Sequence, residues 1–397
     1  MAPYGLRALR NWPEACEQES LERGARACAS IASLMRSRGP ARIRLCNPSK
    51  GHSVQMTSRE IVERSLRFAC PERIPMTLPE PYPNDVVVAG ISRPDDPEIG
   101  VWHLVDGKWR LRDEWGNIWG RLEGFSSGEV IHGAIEDDWS LLDSYRWPAI
   151  DAPERYREAR ERFAAHQDKY CLGFLPGFPF AIARYMRRME NFLADVLLEP
   201  GRVQTLLERI SELLASCIQR FAEAGAHGVF FCEDWGTQER LLVSPATWRR
   251  LFRPGFAALC EEASKYGLTV WMHSCGHVYE IIPDLIEVGI QVLQFDQPEL
   301  HGIDNLARDF GGKVNFWCPV DIQRTLQSRD PDRIEAAARD MILKLGSYGG
   351  GFIAGYYSGN EAIGIDPAIQ DIACRAFVKY ARAVACQPED SPCLRLT

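Results

Sequence analysis

No stretch of the 397-residue chain approaches the roughly 18 consecutive apolar residues of a membrane-spanning helix. Nor does its beginning carry the apolar core of a secretory signal, so neither a membrane span nor a secretory signal is expected. Positive charge is in short supply: 46 Lys and Arg face 54 Asp and Glu, a net charge of −8. That balance gives no field to hold DNA or RNA. Cysteine is present, but not as a framework, because the 13 residues are odd in number and scattered. A long chain with such usage fits a reducing compartment, and a cytoplasmic location is expected. Compositional bias is missing as well: 46% hydrophobic residues, 25% charged, 32 Gly and 25 Pro are ordinary for a folded chain.

Residues 1–50 hold nine Lys/Arg and four Asp/Glu, so the acidic excess lies wholly in the rest of the chain. The Arg-rich run 15–38 reads as a loose amphipathic helix, broken by Gly24 and ended by Gly39-Pro40. Residues 1–55 are therefore expected to form a poorly ordered extension, with 56–386 the folded part and 387–397 a tail. Thr57-Ser58-Arg59-Glu60 has the form of a capping box that opens a helix, and Met56 stands where an alternative start would fall.

From there the pattern alternates. Short apolar strands are expected at 73–78, 170–175, 228–232, 268–272, 291–295, 313–317 and 351–355, each later one followed by a helical segment. Strand-helix alternation implies parallel pairing through right-handed crossovers. Seven strands with one blurred predict an α/β fold, an eight-stranded (β/α)8 TIM-type barrel. An open doubly wound sheet is the alternative, but no Gly-x-Gly-x-x-Gly follows the first strand. Between the first two strands, the segment 101–120 with its Asp106-Gly107 turn reads as an inserted β-meander within 85–145. Its Trp side chains are expected to pack as an apolar face rather than as a ligand cage. The insertion has two readings, a roof over the barrel mouth or an interface for homodimerisation.

Barrel enzymes work at the C-terminal ends of their strands, and five strand ends carry polar groups. The sharpest is His273-Ser274-Cys275-Gly276: imidazole and thiolate are good zinc ligands, and an i, i+2 spacing in extended chain turns both to one side. A third ligand must come from another strand end. Cys318 is the natural nominee, with Glu233, Asp234 and Asp296 as oxygen alternatives; a buried Cys beside a hydrogen-bonded His is the competing structural reading. Glu233 and Asp234 point to opposite faces, so one lines the mouth, and Asp234 is favoured because Ser244-Pro245 already caps the next helix. Gln238, Asp296, Gln297 and Asn360 are the expected substrate-binding groups. Tyr356 or Tyr357 can donate a phenolic hydrogen bond, the other packing as core, while His277 reads as a surface or capping residue.

Asp234-Trp235-Gly236-Thr237-Gln238 with Leu242-Val243-Ser244-Pro245, then His273-Ser274-Cys275-Gly276, then Phe316-Trp317-x-Pro319-x-Asp321 resemble the uroporphyrinogen decarboxylase-like superfamily over about 57–383. The resemblance is strongest to its cobalamin-dependent methyltransferase branch. It implies zinc at His273 and Cys275, and methyl transfer between a small methylated substrate or thiol and a corrinoid (cobalamin) carried by a partner protein. Asp234 would orient or deprotonate the substrate. The haem-pathway decarboxylase carries Arg-Gln-Ala-Gly-Arg after its first strand, whereas Leu78-Pro79-Glu80-Pro81-Tyr82-Pro83 here holds no arginine for substrate carboxylates. Classical methyltransferases of the branch place a Cys in the last-strand loop, and this chain has Gly355-Tyr356-Tyr357-Ser358-Gly359-Asn360. Either Cys318 substitutes, or the metal is weak or absent. Two alternatives stay open: a decarboxylating lyase, and a non-catalytic corrinoid or small-molecule binding protein. The Asp-x-His-x-x-Gly signature of a corrinoid module is absent, so a corrinoid would come in trans.

Overall fold

Runs of β-branched and aromatic residues bounded by Gly and Pro make the strands of the computed structural model, which describes residues 55–122 and 128–385. The expected extension through Val54, the helix in 15–38 and the tail 387–397 lie outside the described residues. The first helix, α1 (Ser58–Leu66), opens with the capping box in place: Thr57 Oγ1 accepts from the Glu60 amide at 3.2 Å, and Glu60 Oε2 accepts from the Thr57 amide at 2.8 Å.

In chain order there follow β1 (Val86–Gly90), β2 (His103–Val105), β3 (Lys108–Arg112), β4 (Ile118–Arg121), β5 (Glu129–His132), α2 (Arg157–Ala164) and β6 (Tyr170–Phe174). Next come α3 (Pro179–Arg187), α4 (Met189–Leu198), α5 (Pro200–Glu223), β7 (Gly228–Cys232), α6 (Pro245–Leu251), α7 (Arg253–Lys265) and β8 (Thr269–His273). The chain closes with α8 (Ile282–Val288), β9 (Val292–Gln294), α9 (Ile303–Phe310), β10 (Asn315–Cys318), α10 (Pro331–Leu345), β11 (Phe352–Ala354) and α11 (Pro367–Tyr380). Seven strands form one sheet in the order β1-β6-β7-β8-β9-β10-β11, parallel throughout. Strands β2 to β5 form a separate four-stranded antiparallel sheet.

The large sheet curls. Alternate residues on its concave side, among them Tyr170, Trp271, Val292 and Ile353, form one buried cluster with Val62 of α1. Phe230 of β7 lies 5.1 Å from Trp317 of β10, ring centre to ring centre, although two strands separate them. The opposite residues, such as Phe231, Met272, Phe316 and Phe352, enter the larger core shared with the helices.

The first strand differs from expectation. At 73–78 the pairing is reduced to two isolated bridges, Met76 parallel to Ala354 and Thr77 antiparallel to Asn84, with the Thr77 amide donating to the Ala354 carbonyl at 2.9 Å. Pro75 and Pro79 cannot donate to a ladder, which keeps the segment short. The strand that pairs with β6 is Val86–Gly90, within the stretch assigned to the insertion. Cys70 is disulfide-bonded, a departure from the expected chain without cross-links, while seven other described cysteines are free.

Candidate active site

Register and side-chain alternation build the rim at the C-terminal end of the curled sheet. His273 lies on the same side of β8 as the inward Trp271 and pairs with Cys232 of β7 and Gln294 of β9. These three residues form one rung. Gln294 Nε2 donates to Asp296 Oδ1 at 2.8 Å; a carboxylate only accepts, so the amide oxygen is turned toward His273. That oxygen accepts from His273 Nδ1, which fixes the ring and turns Nε2 toward Cys275 and Asp234. Nε2 lies 3.3 Å from Cys275 Sγ and 3.5 Å from Asp234 Oδ1.

Asp234 is held from two further sides. Its Oδ1 accepts from the Cys275 amide at 2.8 Å, and its Oδ2 lies 3.5 Å from an Arg184 nitrogen. The loops after β7 and β8 must touch for this to happen. A Cβ on Gly276 would lie 2.0 Å from the Gly236 carbonyl oxygen, and Gly276 has a φ of +77°, so the contact demands glycine there. Burial alone would raise the Asp234 carboxyl, but the His273 hydrogen bond and charge, the Cys275 amide and Arg184 outweigh it and hold the group well below the usual range. Burial likewise opposes the charged form of His273, yet Asp234 and Cys275 raise it well above its ordinary value.

Asp234, His273 and Cys275 thus bring an oxygen, a nitrogen and a sulfur within 4.8 Å of one another, and they are the only such group of three metal-binding types among the described residues. Neighbouring ligands of a tetrahedral zinc lie about 3.5 Å apart, so the donor set fits that ion.

Cys318, expected as the third ligand, falls outside the cluster. On β10 the inward residue is Trp317, and Cys318 has the parity of Phe316, facing the helix layer in the main core. It is fully buried, and burial pushes its thiol far up. Glu233 also faces away from the rim, at the start of α3, where its Oε2 accepts from the Ala181 amide at 3.4 Å. Burial pushes its carboxyl up to about 8. Asp296 reaches the cluster through Gln294.

Tyr357 has the inward parity beyond β11, and its hydroxyl is raised by burial and then by the Asp296 charge. Tyr356 Oη accepts from Asn360 Nδ2 at 2.8 Å, and Asn360 Oδ1 accepts from Gln370 Nε2 at 2.5 Å. The Asn360 amide is therefore committed to the fold. Gln238 donates to Gln297 at 3.1 Å, joining the loops after β7 and β9. His277 packs its ring 5.3 Å from that of His301.

Three residues at the rim escaped the sequence reading. Cys232, exposed beside His273, and Gln294 are final strand residues with inward parity, a signal visible once the strand ends are placed. Arg184 lies within α3, and nothing in its surroundings along the chain marks it.

A methyltransferase from Methanosarcina mazei shares this fold: it is 13% identical, the match covers 82% of this chain and 99% of that chain, and the TM-score is 0.56. D-psicose 3-epimerase from Clostridium cellulolyticum H10 is 10% identical over 62% of this chain and 88% of its own, with a TM-score of 0.38. A search of the curated proteins finds no match. Residues 155–384, more than half the chain, match the family model described as uroporphyrinogen decarboxylase, and the chain belongs to that family.

Proposed function

We propose that the chain is a zinc-assisted methyltransferase, exchanging a methyl group between a small methylated substrate or thiol and a corrinoid carried by a separate protein. The observation that carries this reading is the Asp234, His273 and Cys275 cluster, with donor atoms at zinc-ligand spacing and the His273 tautomer set by Gln294. Asp234 replaces Cys318 in the proposed ligand set. The reading treats the seven strands, with the short 75–78 segment as the eighth position, as a (β/α)8 barrel; the parallel Met76 bridge to Ala354 supports it.

His273 would supply its Nε2, Cys275 its thiolate and Asp234 one carboxylate oxygen. Zinc in this set would supply Lewis acidity to the oxygen or sulfur that releases or accepts the methyl group. Arg184 and the Cys275 amide keep Asp234 ionised and aimed at the cluster. Tyr357, whose hydroxyl feels the Asp296 charge, would hydrogen-bond the bound substrate. Decarboxylation of a polycarboxylate is less well supported, because Arg184, the cation that meets the cluster, is already engaged by Asp234 and Leu78–Pro83 holds none.

The test is zinc content of untagged protein, beside His273→Ala and Cys275→Ser variants, followed by methyl transfer from methylcobalamin to candidate thiols. About one zinc per chain, lost in both variants, together with thiol methylation, is expected. Folded protein that takes up no zinc after exposure to the ion refutes the reading.

A further inference from the structure

Between the antiparallel sheet and α3 lies a cavity of about 490 Å³, which the proposed chemistry does not use. Its walls are aromatic: Trp102, Trp115 and Trp119 from the antiparallel-sheet region and Tyr185 from α3. Those Trp side chains were expected to pack as an apolar face; three of them also line this cavity.

The walls are held in place by their own contacts. Trp119 Nε1 donates to Asp113 Oδ2 at 2.7 Å, and its ring lies 4.8 Å from that of Tyr185. The Tyr185 hydroxyl accepts from Arg184 at 3.1 Å. Arg121 covers Trp102 at 4.2 Å. Trp115 is buried and meets Trp147 edge to face. A slot held open in this way need not be ordered by its ligand, which lowers the entropic cost of filling it.

The polar groups of the lining decide what the ligand must offer. Asp113 accepts from Trp119 and from the backbone and side chain of Asn117, and Asn117 Oδ1 accepts from the Ala134 amide. Glu114 and Arg155 are paired at 2.7 Å, and Arg155 also donates to the Ser92 carbonyl. Each of these groups is committed. Arg93 is not: it is an exposed residue of the lining and makes no hydrogen bond or ion pair with any described residue. An indole-walled slot with one uncommitted guanidinium recognises a flat ring that carries a carboxylate.

We infer that this cavity binds an aromatic carboxylate of one or two rings, stacked against Trp119 and Tyr185 with its anionic end on Arg93. The volume suits such a molecule and is too small for a tetrapyrrole. Through Tyr185 and Arg184 the slot adjoins Asp234, so the bound ring lies next to the candidate metal cluster without requiring a metal for binding.

The test is calorimetric titration of the full chain with 2-naphthoate, alongside 2-naphthalenemethanol and cyclohexanecarboxylate. Saturable 2-naphthoate binding is expected, with each control weaker by about tenfold or more. Arg93→Ala should weaken 2-naphthoate about tenfold and leave 2-naphthalenemethanol unchanged; Trp119→Leu should weaken both, and His273→Ala neither. Arg93 is exposed, so its variant reports even if Trp119→Leu fails to fold. Absence of saturable binding, or binding indifferent to Arg93→Ala, overturns the inference. Loss of binding in folded His273→Ala also overturns it, since the ligand would then sit on the cluster.

Discussion

His301 should make the fold acid-sensitive by an amount that one substitution removes. The side chain is 4% exposed, its ring packs 4.6 Å from Phe295 and 5.3 Å from His277, and its Nδ1 has no hydrogen-bond partner. Tyr279, bonded to Asp309, faces it as well. Burial, and then the His277 charge, pushes the imidazole down to about 3. An unfolded chain titrates the same group near 6.5. Between those values the unfolded chain carries a proton that the folded chain refuses. The stabilisation from His301 is therefore complete above about 6.5 and is lost as pH falls toward 3. From pH 7 to pH 5 the loss is about 2 kcal/mol. His301→Phe keeps an aromatic ring against Phe295, breaks no hydrogen bond and cannot take up the proton. Urea unfolding of both proteins at pH 5, 6 and 7 should show the stability gap shifting by about 2 kcal/mol in favour of the variant at pH 5. A gap that stays constant over that range refutes the reasoning, because it would mean that His301 protonates freely in the folded state.

Gly276→Ala should cost about 2 kcal/mol or more, from the left-handed backbone and the collision with the Gly236 carbonyl, and should lower zinc content with it; thermal unfolding and metal analysis read both. Gln294→Leu removes the acceptor of His273 Nδ1, and zinc affinity measured by chelator competition should fall about 10- to 100-fold with the fold retained. Cys318→Ala should leave zinc content unchanged while lowering stability by about 1 kcal/mol for the buried sulfur, a result that separates it from Cys275→Ser.

The rhythm of strand and helix was legible because each buried strand after the first is a short apolar run closed by a helix start, as with Gly228–Cys232 and Pro245–Leu251. Val86–Gly90 was not, although its β-branched run is plain, because the Pro-rich segment before it reads as the exit from a strand already made. The His273-x-Cys275 pair could be found from spacing alone, and so could the choice of Asp234 over Glu233, since alternation along an extended chain is local. Cys318 defeated the reading for the same reason in reverse: its parity depends on where β10 begins, and one residue decides whether a side chain meets the rim or the helix layer. Arg184 and the aromatic slot depend on how α3 packs against the antiparallel sheet, which no local pattern encodes.

The bond between the Thr77 region and Ala354 joins positions 277 residues apart. During synthesis, every strand through β10 can emerge and pair with its predecessor while the partner of that early segment is still unmade. Until Phe352–Ala354 leaves the ribosome, β10 presents an open ladder edge to solvent or to a neighbouring nascent chain. The nascent protein therefore spends most of its translation as a sheet with unpaired backbone at one margin, and its yield in a cell should depend on chaperone supply and elongation rate more than its finished stability would indicate.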